Sequence, residues 1–511
     1  MLLWALAGQA QQVKLNALQT PEEKSARYFE SIRKSPPQML AFLLKFPKGG
    51  DLHSHLSGAI YAESYVDWAA QKGLCVNQTT MILSAPSATP CDQASGELAV
   101  STALSNPVLY RKLIDAWSMR YWEYSGQNAH DQFFDSFVKF GAATWGQTGA
   151  MLAEVTSRAA RGQVTYLELM LTPDEGKSSD IGKQVGWDEK FAGPLPDLLE
   201  STLTKLKAGG IDSAAEIGVK KLQEAEAEKD RLLKCGTADA RPGCSVVIRY
   251  VAQVSRGSSL GQVFAQMVTG FALANDPNSK VVALNLVQPE DWLPSMQNFN
   301  LHMEMLNFLR PRYPRARISL HAGELVPGVV PPEGLTFHIR DSVLKGHAER
   351  IGHGVDIMHE DDPYGLLKEL ARRDVMIEIC LTSNDLILGV KKEQHPLATY
   401  LQYGVPVALA TDDEGVSRSE ISREYLKAAQ EHGLGYIQLK TMARTSLQYA
   451  FLPGSSLWAN SKTFTSVAVC AGDISRTGEI SEPCKQHLAG SEKARLQWKL
   501  EQDFRTFESQ F

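Results

Sequence analysis

Eight short apolar runs, separated by stretches of helical character, constrain the fold of this chain more than any other feature. They are Gly50 to Leu56, Val164 to Met170, Val246 to Val254, Val281 to Val287, Ile318 to His321, Arg350 to Gly352, Val375 to Cys380 and Val407 to Ala410. Runs of this length read as strands. The connectors carry amphipathic candidates such as Tyr364 to Arg373, where Leu366, Leu367 and Leu370 fall on one face at helical spacing. Strand and helix alternating in this way imply parallel strands with crossover helices, hence an α/β chain built as a (β/α)8 TIM barrel. In such barrels reactive residues sit at the C-terminal ends of the strands.

Three stretches exceed a bare barrel. Residues 1–45 read as an N-terminal segment of mostly helical character, and 46–452 hold the barrel itself. Insertions are expected at 72–127, after the first strand, and at 175–245, where the charged run Lys220 to Lys234 reads as a solvated helix face. Residues 453–511 read as a C-terminal helical tail.

At 511 residues and 43% hydrophobic content, the chain can bury one large core with appendages, or two ordinary domains. A net charge of −6 with no basic stripe argues against nucleic acid as a partner. No apolar run approaches the roughly 18 residues of a membrane span, so no membrane partner is expected. Leu2 to Ala7 followed by Gly8-Gln9-Ala10 reads either as a truncated secretion signal or as the first turn of a helix. Six of the seven cysteines form local pairs in loop-like segments, Cys75/Cys91, Cys235/Cys244 and Cys470/Cys484, while Cys380 falls in a strand. That distribution favours disulfides and an oxidising compartment, periplasmic or extracellular.

The chemistry-bearing residues follow the strand runs. His53 and His55 are spaced i, i+2 on a strand, so their imidazoles face the same way and can grip one ion. His321 ends another run and would supply a third nitrogen. Glu324, three residues on, is placed to carry a proton over the open side of the ion. His353 lies between Gly352 and Gly354, which let backbone crowd close, and it can orient hydroxide and stabilise developing negative charge. Asp412 and Asp413 are adjacent carboxylates after the last strand, and they repel unless a cation compensates. One can ligate the ion while the other takes the proton of water. Zinc with an open position lowers the pKa of water to about 7, and the set as a whole implies a metal-dependent hydrolase.

The ordered set resembles the adenosine deaminase family of the amidohydrolase superfamily, especially its extracellular, growth-factor-like branch. The resemblance rests on Leu52-His53-Ser54-His55-Leu56, Tyr166-Leu167-Glu168, His321-Ala322-Gly323-Glu324, Arg350-Ile351-Gly352-His353-Gly354, Glu378-Ile379-Cys380 with Ser383-Asn384, and Thr411-Asp412-Asp413. It implies one Zn2+ per chain on His53, His55, His321 and Asp412. It also implies that Glu324 protonates the purine ring, His353 positions the hydroxide and Asp413 accepts its proton. The implied reaction is hydrolytic deamination of adenosine or 2′-deoxyadenosine, with ammonia released.

The substrate pocket is expected beside Ser57, Gln288 and His55. Ser57 stands where cytosolic members carry an acidic residue for the ribose. Gln288 stands at the strand end where the family usually has Asp and a glycine. These departures admit adenine or a modified adenine nucleoside as substrate. An extracellular binding or signalling module with a degenerate barrel is the non-enzymatic reading, and a homodimer is admitted as an assembly.

Overall fold

A computed structural model describes residues 20–85, 91–474 and 479–511. The signal-like stretch Leu2 to Ala10 lies outside them. The barrel strands are β1 (Gly49–His55), β2 (Val164–Leu171), β3 (Val247–Ser255), β4 (Val281–Val287), β5 (Arg317–Ala322), β6 (Arg350–His353), β7 (Met376–Ile379) and β8 (Val407–Leu409). They form one sheet in chain order, every neighbouring pair parallel, as the alternation of runs implies. Each strand begins and ends within a residue or two of its apolar run.

The strands β8 and β1 meet only at their carboxyl ends. There Ser54 and Asp412 form an isolated parallel bridge. Asp412 N–H donates to His53 carbonyl at 2.8 Å, and His55 N–H donates to Asp412 carbonyl at 3.3 Å. Asp51 adds a side-chain clasp, accepting from the Thr411 hydroxyl at 2.6 Å. The seam thus closes the barrel where the sequence puts its histidines.

Pleat alternation sorts the side chains. Outward residues such as Leu167, Leu169, Ile318, Leu320, Ile351, Ile377 and Ile379 are buried against the helical ring. Inside the barrel only a small apolar cluster forms, from Met170, Val251, Ala283 and Val287. The rest of the interior is polar, with Glu168, Ser319, Arg350 and Glu378 all essentially inaccessible. A buried charge is costly unless answered, and here Arg350 lies between the two carboxylates, Glu168 and Glu378.

Helices Pro21–Ile32 and Pro36–Lys45 precede the barrel. Between β1 and β2 the chain adds a three-stranded sheet, Cys75–Asn77, Leu83–Ser84 and Glu97–Ala99, with further helices. The charged run belongs to helix Asp212–Leu233, whose Gly218, Leu222, Ala225 and Lys229 are nonetheless buried. The tail departs from an all-helical expectation: an antiparallel strand pair, Trp458–Asn460 and Thr465–Ser466, precedes helices Glu482–Ala489 and Glu492–Glu508.

All three local cysteine pairs are disulfides, and Cys380 is a buried free thiol. No helix among the described residues is long and apolar enough to cross a membrane. A cavity of about 1030 Å³ opens at the amino ends of the strands, lined by Arg249, Arg317, Arg350 and Lys493 among others. It lies opposite the histidines, and its arginines are largely neutralised, Arg249 by Glu492 and Arg317 by Glu349.

Candidate active site

The residues picked from sequence as metal ligands converge at the carboxyl end of the barrel. His53 Nε2 and His55 Nε2 lie 3.1 and 3.2 Å from His321 Nε2. Asp412 Oδ1 lies 3.5 Å from His53 Nε2 and 3.4 Å from His55 Nε2. Four donors about 2.05 Å from a shared tetrahedral centre would be separated by roughly 3.3 Å, which these four spacings approach. Among the described residues the donors that all lie within 4.8 Å of one another are those of His53, His321, His353 and Asp412, with His55 grouped beside Asp412 and Asp413. Without a cation, three imidazole nitrogens and a carboxylate oxygen would face each other with nothing to bind. Asp412 Oδ1 is indeed buried with no hydrogen-bond partner among the described residues. The donor set fits a divalent metal.

On His53 and His321 the other ring nitrogen explains why Nε2 is available. His53 Nδ1 lies 2.6 Å from Glu378 Oε2, and His321 Nδ1 lies 2.7 Å from Asn285 Oδ1. Those oxygens only accept, so Nδ1 carries the proton and Nε2 keeps its lone pair. Gln253 Nε2 stands 2.7 Å from His55 Nδ1; His55 offers a bare Nε2 to the ion once that amide is turned so that its oxygen accepts from Nδ1. Asn285 also accepts the His321 backbone N–H at 2.9 Å, fixing ring and strand together. Ser383 Oγ donates to the second oxygen of Asp412 at 2.7 Å.

The acid and base candidates surround this nest. Glu324 Oε1 is 3.6 Å from His353 Nε2. Burial, reinforced by the Asp412 and Glu290 carboxylates, raises the Glu324 carboxyl well above the usual range, which favours its proton-carrying form. Glu290 aims it: its two oxygens accept the N–H groups of Gly323 at 3.1 Å and Glu324 at 2.9 Å. Asp413 is also held high by burial and by neighbouring Asp412. Its Oδ1 occupies the space over Gly58, where a Cβ would sit only 1.5 Å away.

His353 and Asp412 both adopt left-handed backbone, with φ of 69° and 57°. Such conformations cost a non-glycine residue on the order of 1–2 kcal/mol, and here they turn two reactive side chains inward at strand ends. Gly352 meets a related need, because a Cβ there would lie 2.5 Å from His53 Cε1.

The residues expected to face substrate are placed differently. Ser57 follows β1 and is half-buried, its carbonyl accepting from Tyr65 hydroxyl at 2.5 Å. Gln288 is exposed, has φ of 81°, and its Oε1 accepts Gly257 N–H at 2.9 Å. Neither side chain joins the histidine nest.

Gln253, Asn285, Glu290 and His395 were given no site role from sequence, and Asn384 entered only as part of a motif that carries the resemblance. Gln253 and Asn285 are polar residues inside apolar runs, and that interruption is the signal that could have found them. Glu290 and His395 carry no comparable mark.

The fold and this site together define a parallel barrel that holds a divalent metal at the carboxyl ends of its strands. A model of the adenosine deaminase family matches residues 147–457, and the chain belongs to that family.

The adenosine deaminase of Serratia proteamaculans is 41% identical over 147 residues, spanning 29% of this chain and 41% of that protein. The adenosine deaminase of Escherichia coli is 32% identical over 216 residues, spanning 42% of this chain and 59% of that one. The chain thus covers less than two thirds of these curated relatives.

Two solved structures share the fold. Adenine deaminase from Arthrobacter aurescens has a TM-score of 0.51 at 17% identity, covering 80% of this chain and 94% of its own. An amidohydrolase with bound Zn from Burkholderia ambifaria has a TM-score of 0.50 at 14% identity, covering 92% and 95%.

Proposed function

We propose that the protein is a zinc-dependent hydrolase that deaminates adenosine or 2′-deoxyadenosine, replacing the exocyclic amine with oxygen from water and releasing ammonia. One observation carries the reading: His53, His55, His321 and Asp412 share a single nest that Glu324, His353 and Asp413 border. A binding module has no need for two proton carriers beside a metal site.

Zinc, when bound, supplies Lewis acidity that makes hydroxide available near neutral pH. Asp413, ionised when the charge of a bound cation offsets its burial beside Asp412, takes the proton of the attacking water. Glu324 donates a proton to the purine ring nitrogen beside the amino-bearing carbon, so that the ring accepts the incoming oxygen. His353 holds that oxygen in line. The C–N bond then breaks as Asp413 passes the proton it took to the amine, which leaves as ammonia, and the hydroxyl proton returns to Glu324 as the carbonyl forms.

A second reading keeps the chemistry and exchanges the substrate for adenine or a modified adenine nucleoside. It is favoured by Ser57, which lacks a carboxylate for ribose, and by Gln288, whose amide is tied to Gly257. The relatives named adenosine deaminase support the nucleoside. Three disulfides support an exported protein of the extracellular branch.

Purified protein of known metal content, offered adenosine, 2′-deoxyadenosine and adenine, tests the proposal by ultraviolet absorbance and ammonia release. Adenosine is expected to turn over fastest. Faster turnover of adenine would select the second reading, and no release from any purine would overturn both.

A further inference from the structure

Asn384 lies between two buried histidines, and a main-chain amide fixes the protons along the row. Leu397 N–H donates to His395 Nδ1 at 3.2 Å. A ring nitrogen that accepts carries no proton, so His395 bears its proton on Nε2. That nitrogen is 3.1 Å from Asn384 Oδ1 and donates to it. The other arm of the amide, Nδ2, is 3.0 Å from His353 Nδ1 and donates in turn. His353 Nδ1 is therefore bare, and its proton resides on Nε2.

The orientation of the amide follows from Leu397, since inverting it would set two donors face to face at His395. His353, Asn384 and His395 are 0%, 0% and 3% exposed, so water does not compete for these bonds. His353 Nε2 points the other way, toward Glu324, and has no hydrogen-bond partner among the described residues.

We propose that His395 and Asn384 are positioning residues that lock His353 as its Nε2–H tautomer, making it a hydrogen-bond donor to the reacting oxygen and barring it from the metal. The second consequence follows from proximity. Donor atoms of His53, His321, His353 and Asp412 lie within 4.8 Å of one another, so a bare Nε2 on His353 could serve as a ligand and fill the position that water needs. A protonated nitrogen has no lone pair to give. It cannot act as a base either, which leaves Asp413 to take the proton of water. The inference rests on the deaminase reading only for its catalytic consequence.

Histidine-15N NMR, on metal-free and zinc-loaded protein, reads the tautomer directly. The wild type is expected to show the His353 proton on Nε2. In Asn384→Asp, a carboxylate accepts from both rings and draws that proton to Nδ1. There kcat is expected to fall about 10²- to 10³-fold, the cost of losing one donor to a developing oxyanion, with KM little changed. In the serine-protease triad a comparable tautomer error costs about 10⁴.

Should Asn384→Asp fail to fold, two replacements at His395 carry the test. His395→Gln keeps a donor toward Asn384 and should retain the tautomer and most of kcat. His395→Leu should lose both. An Nδ1–H tautomer in the wild type, or equal loss in the Gln and Leu variants, would overturn the proposal. An Nε2–H tautomer in a protein that releases no ammonia from any purine would uphold the lock and sink the assigned reaction.

Discussion

The backbone N–H of Asp412 donates to the carbonyl of His53 at 2.8 Å, so two of the four candidate metal ligands are joined across the seam between the last and first strands. Ligands on both sides make a bound ion a cross-link of that seam. Removing zinc with a chelator is expected to lower Tm and restoring it to recover Tm. Metal present at about a thousandfold over its Kd stabilises by about 4 kcal/mol. Calorimetry paired with metal analysis checks this; equal Tm with and without the ion would contradict it.

Glu378 links the ion site to the barrel interior, because it contacts His53 Nδ1 at 2.6 Å and Arg350 Nε at 2.7 Å. Glu378→Gln weakens the acceptor that orients His53, while Glu168 still balances Arg350. Zinc affinity is expected to fall about 10- to 100-fold. Competition against a chromogenic chelator measures it, and unchanged affinity would remove Glu378 from this role.

Gly58 leaves room for the Asp413 carboxylate. Gly58→Ala places a methyl in the space of Oδ1 and forces Asp413 aside. A loss of at least about 10²-fold in kcat is expected, with zinc retained. Gly141 is the control: it sits in helix Ala129–Thr144, and a methyl added there would meet nothing within 4 Å. Gly141→Ala should keep kcat and add about 0.5–1 kcal/mol of stability.

His302 is fully buried, neither ring nitrogen has a hydrogen-bond partner among the described residues, and burial with nearby Arg256 pushes its pKa down to about 3. In the unfolded chain it protonates near 6.5, so between pH 6.5 and 3 the unfolded state binds more protons. Its effect on stability is nil above that window and grows as pH falls through it, by about 1.4 kcal/mol per unit. Urea unfolding of His302→Leu at several pH values should show a shallower acid slope than the wild type. Parallel slopes would refute the assignment.

The disulfides enclose sequence separations of 16, 9 and 14 residues. Chain entropy alone assigns each about 2.5–3 kcal/mol, least for Cys235–Cys244. Paired Cys→Ser variants, followed by Tm, test that order. Thiol titration should find no reactive group in the native protein and one, Cys380, after unfolding without reductant.

The barrel was legible because its strands are apolar runs and the helices between them keep their period. Ligands were legible for a related reason: His53, His55, His321 and Asp412 end or follow such runs. Supporting residues were not. Asn285 and Gln253 acquire a role only when β4 and β3 curve toward His321 and His55, a relation between distant segments that no local pattern carries. The row from Leu397 to His353 depends on the first backbone amide of helix Leu397–Gln402. Glu290, two residues past Gln288, carried no mark of its own, yet it holds the turn that aims Glu324.

The seam has a consequence for biosynthesis. Its clasp joins Asp51 to Thr411, 360 residues apart, so a ribosome must deliver all of the intervening polypeptide before the ion has a home. Metal uptake therefore marks chains whose barrel is finished, and a prematurely stopped product is inert, with no partial centre able to run unsupervised.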